Sequence, residues 1–150
     1  MSVIPIVTQG ADKKHLHRAL AQADYFALGG LVPLTRQKAK LQGWLDACYK
    51  PVVAKFQATG TMPKVHLLGV SQEWVLHRYP VYSCDSSSWV AVLRYGSTGA
   101  LGKGGPQKVP HAKKEPAINV YALRQEIRKY REMEEKATAL WAQRGIAWTD

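Results

Sequence analysis

A chain of 150 residues is the size of one domain, and 46% apolar residues are enough for a packed core, which excludes wholesale disorder. The formal net charge of +10 favours an anionic partner, of which nucleic acid is the commonest. Cys48 and Cys84 lie far apart and make neither a metal spacing nor a disulfide framework, so a reducing cytoplasm is the expected compartment. The start, Met1 to Val7, has no basic region of a signal peptide, and no stretch approaches the ~20 apolar residues that span a bilayer, so no membrane partner is expected.

In chain order, Val3 to Thr8 is apolar and β-branched and ends in Gln9 and Gly10, which predicts a buried strand and a turn. Lys13 to Ala23 carries Leu16, Leu20 and Ala23 at helical spacing. Tyr25 to Leu28 reads as a second strand, broken by Gly29 and Gly30, and Leu31 to Leu34 reads as a loop around Pro33. Thr35 suits the N-cap of a long helix along Leu41, Trp44, Leu45, Cys48, Val52 and Phe56, which Pro51 should kink or split and Gly60 should cap. Pro63 leads into a third strand, Val65 to Leu68, and Ser71 opens a short helix through Trp74, Val75 and Leu76. The fourth strand is Val81 to Cys84, with a helix over Ser86 to Tyr95 after it.

From Gly96 to Pro116 the chain is rich in Gly, Lys and Pro, the composition of a flexible basic loop. A last helix spans about Asn119 to Arg144, with Ile118, Tyr121, Ile127, Tyr130, Met133, Ala137, Leu140 and Trp141 on one face and Gly145 as its stop. The expected class is therefore α/β: four parallel βα units followed by a long C-terminal helix. The expected division is residues 1–96, 97–117 (the loop) and 118–150. A closed eight-unit barrel takes about 250 residues, so these units make either a small open sheet or half of a barrel.

In parallel βα architectures the reactive groups sit at the C-terminal ends of the strands. Here those ends are Gln9 with Gly10, Gly29 with Gly30, Gly69, and Asp85. Glycines let a flat ligand approach the backbone, the Gln9 amide offers donor and acceptor to a heterocycle edge, and Asp85 offers a nucleophile or a base.

Ala27 to Leu34, Pro63 to Gly69, and Cys84 to Trp89 together resemble the second half of the tRNA-guanine transglycosylase barrel. The likeness is nearest to the archaeosine type and its phage relatives that put 7-deazaguanines into DNA. Val7 to Gly10 is similar to a strand end of that family, and the resemblance covers about Val3 to Arg94. It implies that Asp85 is a nucleophile that attacks C1′ of a guanosine nucleotide, and that Gln9 holds the purine edge. It implies further that Gly29, Gly30 and Leu31 contact the base and its 7-substituent, and that Leu68 and Gly69 form the floor beneath it. The partners implied are DNA or tRNA and a 7-deazaguanine base, in a cytoplasm that is the host's if the chain is phage-encoded. The family's first barrel half and its zinc ligands have no counterpart here. No cofactor is therefore expected, and a second chain or a homo-oligomer would complete the barrel. The alternative is a catalytically inactive nucleic-acid-binding or partner subunit of such an enzyme.

Plainer roles stand beside these. Asp85 before three serines suits an N-cap, and Gln9 suits an ordinary turn. His66, inside a strand, reads as a satisfied core histidine, and Cys84 as a small buried residue. Arg94, Lys103, Lys108, Lys113 and Lys114 suit phosphate-backbone contacts near the mouth, or a solvated loop.

Overall fold

The computed structural model describes residues 3–90 and 116–148, without the side chains of residues 89–90 and 116–119. Its elements run β1 (Ile6–Thr8), α1 (Lys13–Gln22), β2 (Tyr25–Gly29), α2 (Lys38–Thr59), β3 (Lys64–Leu67), α3 (Glu73–Arg78), β4 (Ser83–Cys84) and α4 (Pro116–Gln143). Short 3-10 turns lie at Val32–Leu34 and Ser87–Val90. The protein is α/β, as expected, with a four-stranded parallel sheet and a long C-terminal helix. The strand order is β1-β2-β3-β4, the order of the chain itself.

That order has a physical consequence. Crossovers between parallel strands are almost always right-handed, so strands that add in one direction put their connecting helices on one face. Strand side chains alternate between faces. On the helix side Val7, Phe26, Leu28, Val65 and Leu67 join Leu16 and Leu20 of α1 and Leu41, Leu45 and Val52 of α2 in one core. On the other side stand Ile6, Thr8, Tyr25, Ala27, Lys64, His66 and Ser83. This second face is mixed and largely polar. Ile6 is 58% exposed on the edge strand β1, beside Val3 and Ile4, which are also exposed.

Several boundaries differ from expectation for local reasons. The Thr35 hydroxyl donates to the Val32 carbonyl (2.8 Å) within a 3-10 turn where a loop was expected, so α2 starts at Lys38 behind Gln37 instead. Pro51 lies inside α2 but does not split it: Leu45, Cys48, Tyr49 and Val52 are buried, and this packing outweighs the missing N–H. Gly60, at φ 72°, caps α2 with its N–H on the Phe56 carbonyl, as expected. The third helix begins at Glu73, two residues after Ser71, which is buried. β4 is shorter than expected because Val81 and Tyr82 lie outside the strand. Of the helix expected over Ser86 to Tyr95, a 3-10 turn at Ser87–Val90 is described; residues 91–95 and the expected basic loop up to residue 115 lie outside the described residues.

The last helix starts at Pro116, inside the stretch read as loop, because proline suits a first helical position where no N–H bond is needed. Its buried face keeps to the expected stripe in the second half of the helix, at Met133 and Trp141, and departs from it in the first half. Ala122, Glu126, Met133 and Trp141 are buried, whereas Tyr121 and Ile127 are exposed. Glu126 is tolerated inside because Lys129 Nζ donates to its carboxylate at 2.8 Å. At the far end Trp141 Nε1 donates to the Leu76 carbonyl (2.7 Å) and Arg144 Nη1 to the His77 carbonyl (2.9 Å). These bonds satisfy carbonyls at the C-terminal end of α3 that have no partner within the helix. Gly145, at φ 80°, turns the chain, and Ile146 and Trp148 close on the sheet edge, with Trp148 edge-on to Tyr82 at 5.9 Å. Trp141 and Ile146 belong to the same core as the strands.

The terminal helix is thus part of the fold and not an appendage. Trp141→Ala removes a large buried ring and its bond to Leu76. It should lower unfolding stability by about 3–5 kcal/mol, read from the urea midpoint at unchanged m-value.

Candidate functional site

The C-terminal strand ends lie side by side, as expected for a parallel sheet. The register pairs Thr8 with Gly29, Leu28 with Leu67, and Leu67 with Cys84. One residue further on, Leu68 N donates to the Leu28 carbonyl (3.0 Å) and Asp85 N to the Leu67 carbonyl (3.2 Å). Thr8, Gly29, Leu68 and Asp85 therefore form one row across the sheet, on the face away from α1 and α2.

The glycines in this row are there for space. A Cβ on Gly29 would meet Ile6 Cγ2 at 3.1 Å and Leu68 Cδ1 at 3.2 Å, so those two side chains close over the glycine. Gly30 has φ 73°, and a Cβ there would press on Thr8 Cγ2 and the backbone N of Gln9. Gly69 has φ 77°, and its missing Cβ leaves room for Val32 Cγ2. Gln9 is anchored by its backbone, which donates to the Gly29 carbonyl at 2.9 Å, while its residue is exposed. The Leu31 side chain is fully buried in the core, so it offers the opening its backbone.

Asp85 stands where the last strand ends, with its side chain 59% exposed. The Gly69 N–H donates to its Oδ1 at 2.5 Å. This bond turns the carboxylate away from the following turn. The capping role at the following turn belongs to Ser86, whose Oγ accepts the Ser88 N–H at 3.1 Å and lies 2.7 Å from Ser88 Oγ. Asp85 instead points back across the strand ends, toward Gly69.

His66, read from the sequence as a satisfied core histidine, has one nitrogen satisfied by Ser83 and the other facing Asp85. Its Nε2 lies 3.8 Å from Asp85 Oδ2, and its Nδ1 is 2.8 Å from Ser83 Oγ. A signal for it was present. Lys64, Val65, His66 and Leu67 alternate polar and apolar, and Val65 and Leu67 are completely buried. The period of two puts His66 on the opposite, open face.

Cys84, next to Asp85, is half-buried and not fully buried as expected. Burial, with smaller contributions from the Asp85 and Glu134 charges, pushes its thiol up to about 11. It stays protonated at neutral pH and is no rival nucleophile.

A groove of about 1080 Å³ opens between β4 and α4, walled by Tyr82, Asp85, Tyr130, Met133, Glu134 and Trp141 among others. Gln9, Gly29, Gly30, Leu68 and Gly69 do not line it. Asp85 is the residue shared by the groove and the strand-end row. The polar side chains of the row are Thr8 and Asp85, on its two outer strands, whereas the groove walls are chiefly aromatic and apolar. Arg94, Lys103, Lys108, Lys113 and Lys114 lie outside the described residues. Among the described residues no group of three or more His, Cys, Asp and Glu side chains could hold a metal ion, and no helix is long and apolar enough to cross a membrane.

No protein-family model, no curated protein and no solved structure matches this chain.

The geometry at Gly69 yields a direct test. Gly69→Ala forces an L-residue to φ 77° and against Val32, whereas Gly10→Ala has positive φ but open space around it. Gly69→Ala should cost about 1–3 kcal/mol, more than Gly10→Ala, in paired urea titrations.

Proposed function

We propose that this protein is a transglycosylase-like half-barrel that exchanges guanine for a 7-deazaguanine in DNA or tRNA, with Asp85 as nucleophile. The observation that carries the reading is the Asp85 carboxylate at a parallel strand end. It is turned toward Gly69 and shares one row with Leu68 and Gly29, while the neighbouring turn is capped by Ser86. The progressive strand order supports the barrel-like part of the reading, because barrel strands also follow one another in sequence.

In the proposed reaction a carboxylate oxygen of Asp85 forms a bond to C1′ as the C1′–N9 bond breaks. The electron pair leaves with guanine, which takes a proton from water. The incoming 7-deazaguanine then gives its N9 proton to the hydroxide so formed, attacks C1′ and expels Asp85 as the carboxylate. A carboxylate suits both halves because it is ionised at neutral pH and serves as attacking and as leaving group. The target base must leave its stack to reach the row.

Four strands are half of an eight-stranded barrel. The exposed edge strand β1, with Val3, Ile4 and Ile6 bare, supports completion by strands of a second chain or a second copy. Cations stand at the same end of the sheet, where α1 and α2 begin after the strand ends. Lys13 and Lys14 open α1, Arg36 and Lys38 precede and open α2, and all four are exposed. Asp12 caps α1 and pairs with Lys14 at 3.2 Å, whereas α2 has no acid in its first turn. Positive charge at the positive end of a helix dipole is locally unfavourable, so its presence supports contact with phosphates.

Labelled guanine, nucleic acid and the protein, with and without a candidate partner chain, test the reading. Wild type should exchange the label and leave a covalent adduct under denaturing conditions, and Asp85→Ala should abolish both. Exchange that survives Asp85→Ala removes the assigned role. Salt-dependent binding that survives Asp85→Asn, with no adduct in wild type, marks the inactive binding subunit. The combined Lys13→Gln, Arg36→Gln and Lys38→Gln variant should flatten the slope of log affinity against log salt by roughly 2–3, at about 0.7–0.9 per phosphate contact.

A further inference from the structure

The open face of the sheet carries a line of polar side chains that ends on the proposed nucleophile. The Tyr25 hydroxyl lies 3.1 Å from Ser83 Oγ, and Ser83 Oγ lies 2.8 Å from His66 Nδ1. His66 Nε2 then faces Asp85 Oδ2 at 3.8 Å. The line crosses three strands, because the register sets His66 between Ala27 of β2 and Ser83 of β4. Ala27 offers no polar side chain, so the ring is held from the β4 side.

The chemistry of the end group gives the line a direction. An ionised carboxylate only accepts hydrogen bonds. The ring nitrogen that faces it is therefore favoured as N–H, and in the neutral ring the other nitrogen becomes the acceptor. Nδ1 then takes the Ser83 hydroxyl hydrogen, and the Ser83 oxygen takes that of Tyr25. The reverse direction would set a ring lone pair against the carboxylate oxygens.

We propose that His66 is a positioning residue for the Asp85 carboxylate, with Ser83 and Tyr25 fixing its tautomer. The inference rests on the reading of Asp85 as nucleophile and deepens it. The Gly69 N–H binds Oδ1, and the His66 N–H is aimed at Oδ2. A carboxylate bonded at Oδ1 and faced by a ring nitrogen at Oδ2 has a narrower range in its otherwise broad terminal torsion. It presents one lone pair along a fixed line of attack, and such orientation is where a positioned nucleophile gains most. At 3.8 Å the His66 contact is longer than a hydrogen bond. Contacts of this kind commonly tighten only once substrate is seated. A histidine with a purely structural role would spend both nitrogens inside the protein. This one turns its second nitrogen to a carboxylate that is 59% exposed at the strand ends.

Two measurements test the proposal. The first needs no turnover: nitrogen-15 NMR of the full chain at pH 8 reads the His66 tautomer. The Nε2–H form should predominate in wild type, and Ser83→Ala should shift the ring toward a mixture. A predominant Nδ1–H form in wild type overturns the proposal. The second compares His66→Gln, which keeps an N–H donor, with His66→Phe, which keeps bulk without one. The phenylalanine variant should lower the rate constant of adduct formation roughly 10- to 100-fold with KM for nucleic acid little changed, and the glutamine variant should recover part of the loss. A fully active His66→Phe, or equal losses in both variants, overturns it. If wild type itself forms no adduct, the reading of Asp85 as nucleophile fails, and the tautomer alone decides whether His66 is aimed at that carboxylate.

Discussion

The two-residue pairing of β4 with β3 is the contact on which the rest depends. His66 lies opposite Ser83 and Leu67 opposite Cys84. From that register follow the positions of Asp85 beside Gly69 and of Ser83 beside His66. A slip by one residue would turn Asp85 into the helix side and bring Cys84 to the open face, since side chains alternate. So short a strand cannot fix its own register. Tyr82 N on the Val65 carbonyl (3.0 Å) and Asp85 N on the Leu67 carbonyl (3.2 Å) extend the ladder at both ends. Trp148 packing on Tyr82 clamps its start. The C-terminal segment thus acts on the site through the strand it braces.

The sheet has two faces with different tasks. One is closed by α1 and α2 and supplies stability. The other is open, polar toward β3 and β4, and apolar toward β1. An open sheet in which strands add in one direction has no helices to spare for its second face. Something other than these connections must cover it or use it. The proposed function and the role of His66 both take the face away from α1 and α2 as a working surface, and the edge strand β1 as the place where a barrel would continue.

Much of this was legible in the sequence. The alternation of β-branched runs with amphipathic stretches gave the class, and Gly60 and Gly145 marked helix ends through their positive φ. Asp85 and the glycines stood at strand ends where topology puts reactive groups. The rest depended on contacts between distant segments. Pro51 does not break α2, because buried neighbours hold the helix on both sides. Tyr121 and Ile127 are exposed because α4 turns Ala122, Glu126 and Met133 inward, and a buried Glu126 paired with Lys129 is invisible to an apolar count. The capping role passed from Asp85 to Ser86 because the Gly69 N–H, sixteen residues away in sequence, takes the Asp85 carboxylate. His66 looked like core for want of its partner Ser83, which only the strand pairing supplies.

The central proposition is that this pairing delivers a carboxylate to the Gly69 amide. The Gly69 amide proton reports on it directly. In wild type its NMR resonance should lie downfield of ordinary glycine amides, as a hydrogen bond to a carboxylate requires, and Asp85→Asn should move it upfield while Gly60 and Gly145 stay in place. A Gly69 resonance at an ordinary position, indifferent to Asp85→Asn, would contradict the register, and with it the row of groups built on that pairing.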